Sequence, residues 1–160
     1  MFIYGHRGAA GEAPENTLTG FAYARAIGVR DYEFDLHLTR DAQVIVIHDS
    51  SVTRTTGGQC VVEAMTLDEV RRLSAYAKFP DWPERPTIPT LDEVLNLIAD
   101  GRSFQLEIKT VDPASYPTLL AGMRGSIDRF GLAERVFISS FDPLALQAAL
   151  HDGQPRCVNL

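Results

Sequence analysis

Three carboxylates and two imidazoles of this 160-residue chain sit inside or at the ends of strand-like segments. An unpaired charge is costly there. His6 follows the apolar start Phe2-Ile3-Tyr4-Gly5, and Glu33 and Asp35 alternate within Tyr32-Glu33-Phe34-Asp35-Leu36. His48 closes Val44-Ile45-Val46-Ile47, and Glu107 lies in Phe104-Gln105-Leu106-Glu107-Ile108. Three oxygen donors with no His or Cys at ligand spacing suit one hard cation, Mg²⁺ or Ca²⁺, and suit Zn²⁺ poorly. Like charges held close on adjoining strands need such a cation. The competing reading of Glu33 and Asp35 is the polar alternation of a solvent-exposed edge strand. His6 and His48 are the natural acid–base pair, since imidazole titrates nearest neutrality. Either one taken alone also reads as a packed or surface histidine.

Four further residues flank these positions. Arg7 and Lys109 could hold an anion such as phosphate, Arg through bidentate contacts, or could form salt bridges to the same carboxylates. Glu15 and Asn16 open a junction between the first strand and its helix, where Asn16 is a helix cap or a ligand contact. His37 shares the face of Glu33 and Asp35 but lies one step nearer a hairpin, so it lines the entrance at most. His151 follows a helix and reads as solvated. Ser139 and Trp82 are pocket candidates only.

The elements that would position these groups alternate. A strand over about 2–7 leads to a helix from Asn16 or Thr17 to Ala26, with Leu18, Phe21, Ala22 and Ala26 as its apolar face and Gly28 as its stop. A second strand starts near Asp31, and there Glu33, Asp35 and His37 share one side. Residues 40–43 form a hairpin tip, and 44–47 return to deliver His48. Turn-rich residues 49–87 carry one short helix near 67–75. Regular alternation then resumes with a helix at 91–99, a strand at 104–109, a helix at about 114–130, a strand at 135–141, a helix at 143–150 and a strand start at 156–160. Such a βαβα order predicts a parallel sheet with helices outside it.

Taken in order, His6-Arg7-Gly8, Pro14-Glu15-Asn16-Thr17, Glu33-Phe34-Asp35 with Leu38-Thr39-Arg40-Asp41, His48-Asp49, Arg54-Thr55-Thr56, Ile88-Pro89-Thr90-Leu91 and Leu106-Glu107-Ile108-Lys109 resemble the glycerophosphodiester phosphodiesterase family. The resemblance covers residues 2 to about 150. It implies a TIM (β/α)8 barrel of the PLC-like phosphodiesterase type, with a family-type insertion at about 49–87 overhanging the pocket. It also implies a metal-dependent enzyme that cleaves glycerophosphodiesters to glycerol 3-phosphate and an alcohol. Glu33, Asp35 and Glu107 would hold the ion, and His6 and His48 would assist attack and protonate the leaving oxygen. Arg7 and Lys109 would bind phosphate, and Glu15 would approach the metal or substrate. The nucleophile would be water or the substrate's own neighbouring hydroxyl. Two alternatives stand beside this reading: a relative acting on lysophospholipids or sphingomyelin, and a non-catalytic module that binds metal or phosphate. The chain departs from the family at Asp41-Ala42, where a tight Asp-Gly turn is usual.

The resemblance implies a small-molecule glycerophosphodiester as partner, and composition argues against two other classes. With 45% hydrophobic and 22% charged residues the chain is ordinary globular protein, and its net charge of −6 argues against a nucleic-acid surface. No run approaches the ~20 apolar residues of a membrane span. His6-Arg7 interrupts any signal peptide, and Cys60 and Cys157 show no metal spacing, so a cytoplasmic protein with free thiols is expected. A closed barrel needs roughly 250 residues. The 160 residues are therefore expected to form one domain, the N-terminal part of a barrel ending after about four to five strands. Such an arc is expected to expose an apolar inner face, including Ile108 and Ile138, and not to fold by itself into a stable, active monomer.

Overall fold

The computed structural model describes residues 3–110, 112–154 and 156–159, with only the backbone described for Val158 and Asn159. Strands β1 (Tyr4–His6), β2 (Asp31–Leu38), β4 (Ser103–Ile108), β5 (Val136–Ser140) and β6 (Cys157–Asn159) form a parallel sheet in the order β1-β2-β4-β5-β6. β3 (Val44–Val46) pairs antiparallel with the end of β2. Helices α1 (Leu18–Ala26), α4 (Leu91–Ile98), α5 (Tyr116–Arg129) and α6 (Pro143–His151) fill the crossovers. Parallel neighbours require such crossovers, and the alternation of the sequence places them correctly. Phe2 and Leu160, the outer ends of the expected first and last strands, lie outside the described residues. Among the described residues no helix is long and apolar enough to cross a membrane.

The two faces of the sheet have opposite chemistry. Phe34, Leu36, Phe104, Leu106, Ile108, Val136 and Ile138 pack under the helices in one core with Phe21, Leu95, Leu119 and Met123. Ile108 and Ile138 therefore face the helices, not the inner side as expected. Side chains alternate along a strand, so a residue beside Glu107 must point away from it. The inner side is mainly polar, carrying Glu33, Asp35, His37, Gln105, Glu107 and Ser139 at strand positions of one parity, with Phe137 among them. Asp31, at the opposite end of that face, is bound by Arg102 and Ser103.

Helix α1 starts after Thr17, whose side chain accepts from the Gly20 N–H, and turns off at Gly28, where φ is +93°. Its buried residues are Gly20, Phe21 and Ala24, whereas Leu18, Ala22 and Ala26 are exposed, which corrects the expected apolar face. The reason is a close approach: a Cβ on Gly20 would stand 2.3 Å from the Pro14 carbonyl oxygen. The helix thus presses its smallest side against the loop that carries Glu15 and Asn16.

Residues 49–87 hold more structure than one helix. α2 (Thr53–Thr56) and α3 (Leu67–Arg71) flank a 3₁₀ turn at Val62–Ala64. They enclose a second core of Ile45, Ile47, Val52, Val62, Met65, Val70, Ala75 and Ile88. The three threonines of α2 are poor helix formers, which hid it from propensity. α3 is capped by a Thr66/Glu69 capping box. At the hairpin tip Ala42 takes φ 62°, the left-handed conformation that the glycine of an Asp-Gly turn would accept without strain.

Candidate active site

Parallel register sets Asp35 opposite Glu107 and His6 opposite Glu33. One oxygen from each of Glu33, Asp35 and Glu107 falls within a mutual 4.8 Å, and all three residues are buried. All eight residues of β2 are buried, which removes the edge-strand reading. The Asp35 Oδ1 and Glu107 Oε1 atoms are buried without a hydrogen bond. Lys109 Nζ lies 2.5 Å from that Glu107 oxygen and 3.5 Å from that Asp35 oxygen. Carboxylate oxygens converging from two strands on one shared ammonium, with oxygen the sole donor type, fit a hard divalent ion in its place.

Cations are shared unequally among these carboxylates. Arg7 Nε lies 3.3 Å from Asp35, and the Arg7 Nη1 donates to Glu15 at 3.0 Å. Among the described residues, Glu33 has the His6 imidazole, with Nε2 3.7 Å away, and the Arg7 backbone N–H at 3.3 Å as its polar partners. Burial first, then the Asp35 charge, pushes the Glu33 carboxyl up to about 7. Partial burial and the neighbouring Arg7 push the His6 imidazole down. His6 is largely exposed, so its ring faces the open side of the cluster.

The loop after β1 is bent to bring these groups together. Arg7 and Asn16 both adopt left-handed backbone, at φ 52° and 54°, and the Asn16 N–H donates to the Arg7 carbonyl at 3.0 Å. Non-glycine residues in this region cost about 1 kcal/mol or more each and collect at functional sites. Asn16 does not cap the helix, a part taken by Thr17; its Nδ2 donates to Asp35 Oδ2 at 2.9 Å.

Glu15 stands outside the three-carboxylate cluster. Its buried carboxylate accepts from Arg54 at 2.7 and 2.9 Å, from Lys78 at 2.7 Å and from Arg7 at 3.0 Å. Burial opposes its ionisation, but those three cations outweigh it and hold Glu15 at about 2. Glu15 thereby ties the segment over 49–87 to the loop after β1.

His48 enters from the hairpin. The Ile47 N–H donates to the Asp35 carbonyl at 3.0 Å, so His48 follows directly past the level of Asp35. Its Nδ1 lies 2.6 Å from Asp49 Oδ1. His37 is not at an entrance: it is 2% exposed, and its Nε2 lies 3.2 Å from the His48 carbonyl. A carbonyl only accepts, so Nε2 carries the proton, and burial keeps the ring neutral by lowering its pKa. Ser139 is fully buried and receives Gln105 Nε2 at 3.3 Å. Trp82 packs edge-on against Tyr23 and Phe79, and His151 is exposed in the last turn of α6.

Sequence reasoning assigned no part to Asp49, Arg54 or Lys78. Asp49 and Arg54 lie within the quoted motif pieces, but nothing local says that a threonine-rich turn folds back onto Glu15.

Residues 6–152 match the profile of the glycerophosphoryl diester phosphodiesterase family. A glycerophosphodiester phosphodiesterase of Caldanaerobacter subterraneus subsp. tengcongensis is 38% identical over 146 residues, which are 91% of this chain and 60% of that protein. One of Bacillus altitudinis is 36% identical, over 87% of this chain and 57% of that protein. The chain thus spans about three fifths of the length of these curated relatives. Among solved structures, an Oleispira antarctica phosphodiesterase in complex with the product sn-glycerol-3-phosphate superposes with a TM-score of 0.87 at 28% identity, covering 99% of this chain and 64% of that one. A glycerophosphodiester phosphodiesterase of Agrobacterium tumefaciens gives 0.84 at 28% identity, covering 98% and 65%. The polar inner face of the parallel sheet and these likenesses agree: the chain belongs to the glycerophosphoryl diester phosphodiesterase family.

Proposed function

We propose that this chain carries the catalytic groups of a metal-dependent phosphodiesterase that hydrolyses glycerophosphodiesters to glycerol 3-phosphate and an alcohol. The observation that carries this reading is the convergence of Glu33, Asp35 and Glu107 within 4.8 Å, flanked by Arg7 and Lys109. Glu33, Asp35 and Glu107 would hold one Mg²⁺ or Ca²⁺. Such an ion supplies charge neutralisation at the phosphoryl oxygens. Arg7 and Lys109 orient the phosphodiester anion once freed from the carboxylates they now bridge. His6, exposed and held below its usual pKa, accepts the proton of the attacking water or of the substrate's neighbouring hydroxyl. His48 delivers a proton to the departing alkoxide as its P–O bond breaks. For attack by water, a new P–O bond forms to the water oxygen, leaving a phosphomonoester and a neutral alcohol.

Glu15 binds no ion in this scheme and holds Arg7, Arg54 and Lys78 in place. Residues 1–160 act as one domain, with 49–87 as the segment over the pocket. The free thiols of Cys60 and Cys157 suit the reducing cytoplasm. Incubation of the protein, in a form that circular dichroism and gel filtration show to be folded, with glycerophosphocholine tests the proposal, with glycerol 3-phosphate read by a coupled dehydrogenase. Product should form with Mg²⁺ or Ca²⁺, stop with EDTA and return on re-addition. Turnover unaffected by exhaustive chelation would overturn it.

A further inference from the structure

Asp49 and Arg54 make a bonded pair beside the candidate acid–base group. Asp49 Oδ2 accepts from Arg54 Nε at 2.7 Å, and Oδ1 accepts from Nη2 at 2.9 Å. The same guanidinium reaches Glu15 through Nη1 at 2.7 Å and Nη2 at 2.9 Å. Arg54 is therefore held bidentately on two sides, an arrangement that fixes a planar fork. Asp49 Oδ1 is also the atom 2.6 Å from His48 Nδ1. Through Glu15 and Arg7 an unbroken series of charged contacts, each 3.3 Å or shorter, runs from the His48 ring to Asp35.

From this geometry we infer that Asp49, clamped by Arg54, is the positioning residue that sets the tautomer and orientation of His48. A carboxylate bonded to a guanidinium stays ionised and only accepts, so His48 Nδ1 must be the donor. In the neutral ring the lone pair is then on Nε2, so the proton that His48 gives to the leaving oxygen is one that Nε2 first takes up from solvent, with the Asp49 carboxylate beside the resulting imidazolium. No hydrogen bond among the described residues engages Nε2, whereas Nδ1 is committed to Asp49. The His37 Nε2–H on the His48 carbonyl fixes the backbone behind the ring. Orientation of a catalytic imidazole by a buried or clamped carboxylate is a general device for presenting the opposite nitrogen to a substrate. Arg54 acts through Asp49 and does not itself touch the ring.

The importance of this clamp for turnover rests on the proposed part of His48; the tautomer does not. The test is histidine ¹⁵N NMR on the full chain at about pH 8.5–9, where an ordinary imidazole is neutral. The His48 resonances are assigned with His48→Ala. His48 should show a protonated Nδ1 and a bare Nε2. In Asp49→Ala it should revert to the Nε2–H form favoured by free imidazole. With the ring no longer oriented and the imidazolium without its counter-charge, the kcat for glycerophosphocholine should fall on the order of 10–100-fold with KM nearly unchanged. If the alanine variant fails to fold by circular dichroism, Asp49→Asn keeps the volume and should give mixed tautomers with a similar loss. A folded variant of either kind that keeps both the Nδ1–H signature and wild-type kcat would overturn the inference. Wild-type turnover in His48→Ala would instead overturn the catalytic reading of His48 while leaving the tautomer result intact.

Discussion

Glu33 should release a proton when the divalent ion binds, and the structure sets the size of the effect. Its carboxyl is raised from an ordinary 4.5 to about 7, by burial and then by Asp35. Each pKa unit is worth 1.36 kcal/mol, so an ionised Glu33 in the metal-free chain costs about 3 kcal/mol. The sign follows from proton counting. Between 4.5 and 7 the folded state binds more protons than the unfolded, so this group's stabilising contribution is full below 4.5 and is lost as pH rises through about 7. An ion held by Glu33, Asp35 and Glu107 requires the ionised carboxylate, so ion and proton compete. From a pKa of about 7, binding should expel ~0.9 proton at pH 6 and ~0.1 at pH 8, and affinity should weaken about tenfold per pH unit below 7. Isothermal calorimetry in two buffers of different ionisation enthalpy measures the release. His6→Ala should retain it and Glu33→Gln should abolish it. Equal affinity at pH 6 and 8 with no proton released would refute the reasoning.

Other expectations follow from single residues. His48→Ala should lower turnover most for diesters with poor alcohol leaving groups and least for a nitrophenyl diester; steady-state kinetics on both substrates, with calorimetric ion binding unchanged, checks this. Glu15→Gln leaves three cations facing a neutral amide. Because Glu15 titrates at about 2 rather than 4.5, the wild type should lose about 3 kcal/mol of stability as pH falls through that range. Urea unfolding at several pH values should show the variant less stable at neutrality and flatter in acid. Ala42→Gly relieves a left-handed alanine at φ 62°, which costs ~1–2 kcal/mol, against ~0.5–1 for glycine's added chain entropy. A stabilisation of about 0.5–1 kcal/mol is expected in the same assay, and no gain would mean the turn is unstrained.

The parts of the site built on regular strands were readable in advance. Glu33, Asp35 and Glu107 lie at strand positions of one parity, and the βαβ order brings their strands side by side without any knowledge of packing. The same parity rule turns Ile108, beside Glu107, toward the helices, so an apolar inner face at Ile108 and Ile138 conflicts with the polar one that the carboxylates define. His37 had the right parity, but its depth depended on the antiparallel hairpin folding over it. The buried side of α1 is not marked by hydrophobicity, because Gly20 and Ala24 carry little of it and Gly20 is set by its close approach to Pro14. Arg54 and Lys78 lie in irregular chain, where no period operates and only tertiary ion pairs with Glu15 decide position.

The most direct measurement is a crystal structure of the protein with Mn²⁺, as an anomalous stand-in for the hard ion, and glycerol 3-phosphate. The expected map has one anomalous peak bound by carboxylate oxygens of Glu33, Asp35 and Glu107. Lys109 should have moved off Glu107 onto the phosphate together with Arg7, and the His48 Nε2 should face the phosphoryl group. An anomalous peak elsewhere, or a phosphate bound with Lys109 still bridging Asp35 and Glu107 and no ion between the carboxylates, would contradict the proposed site.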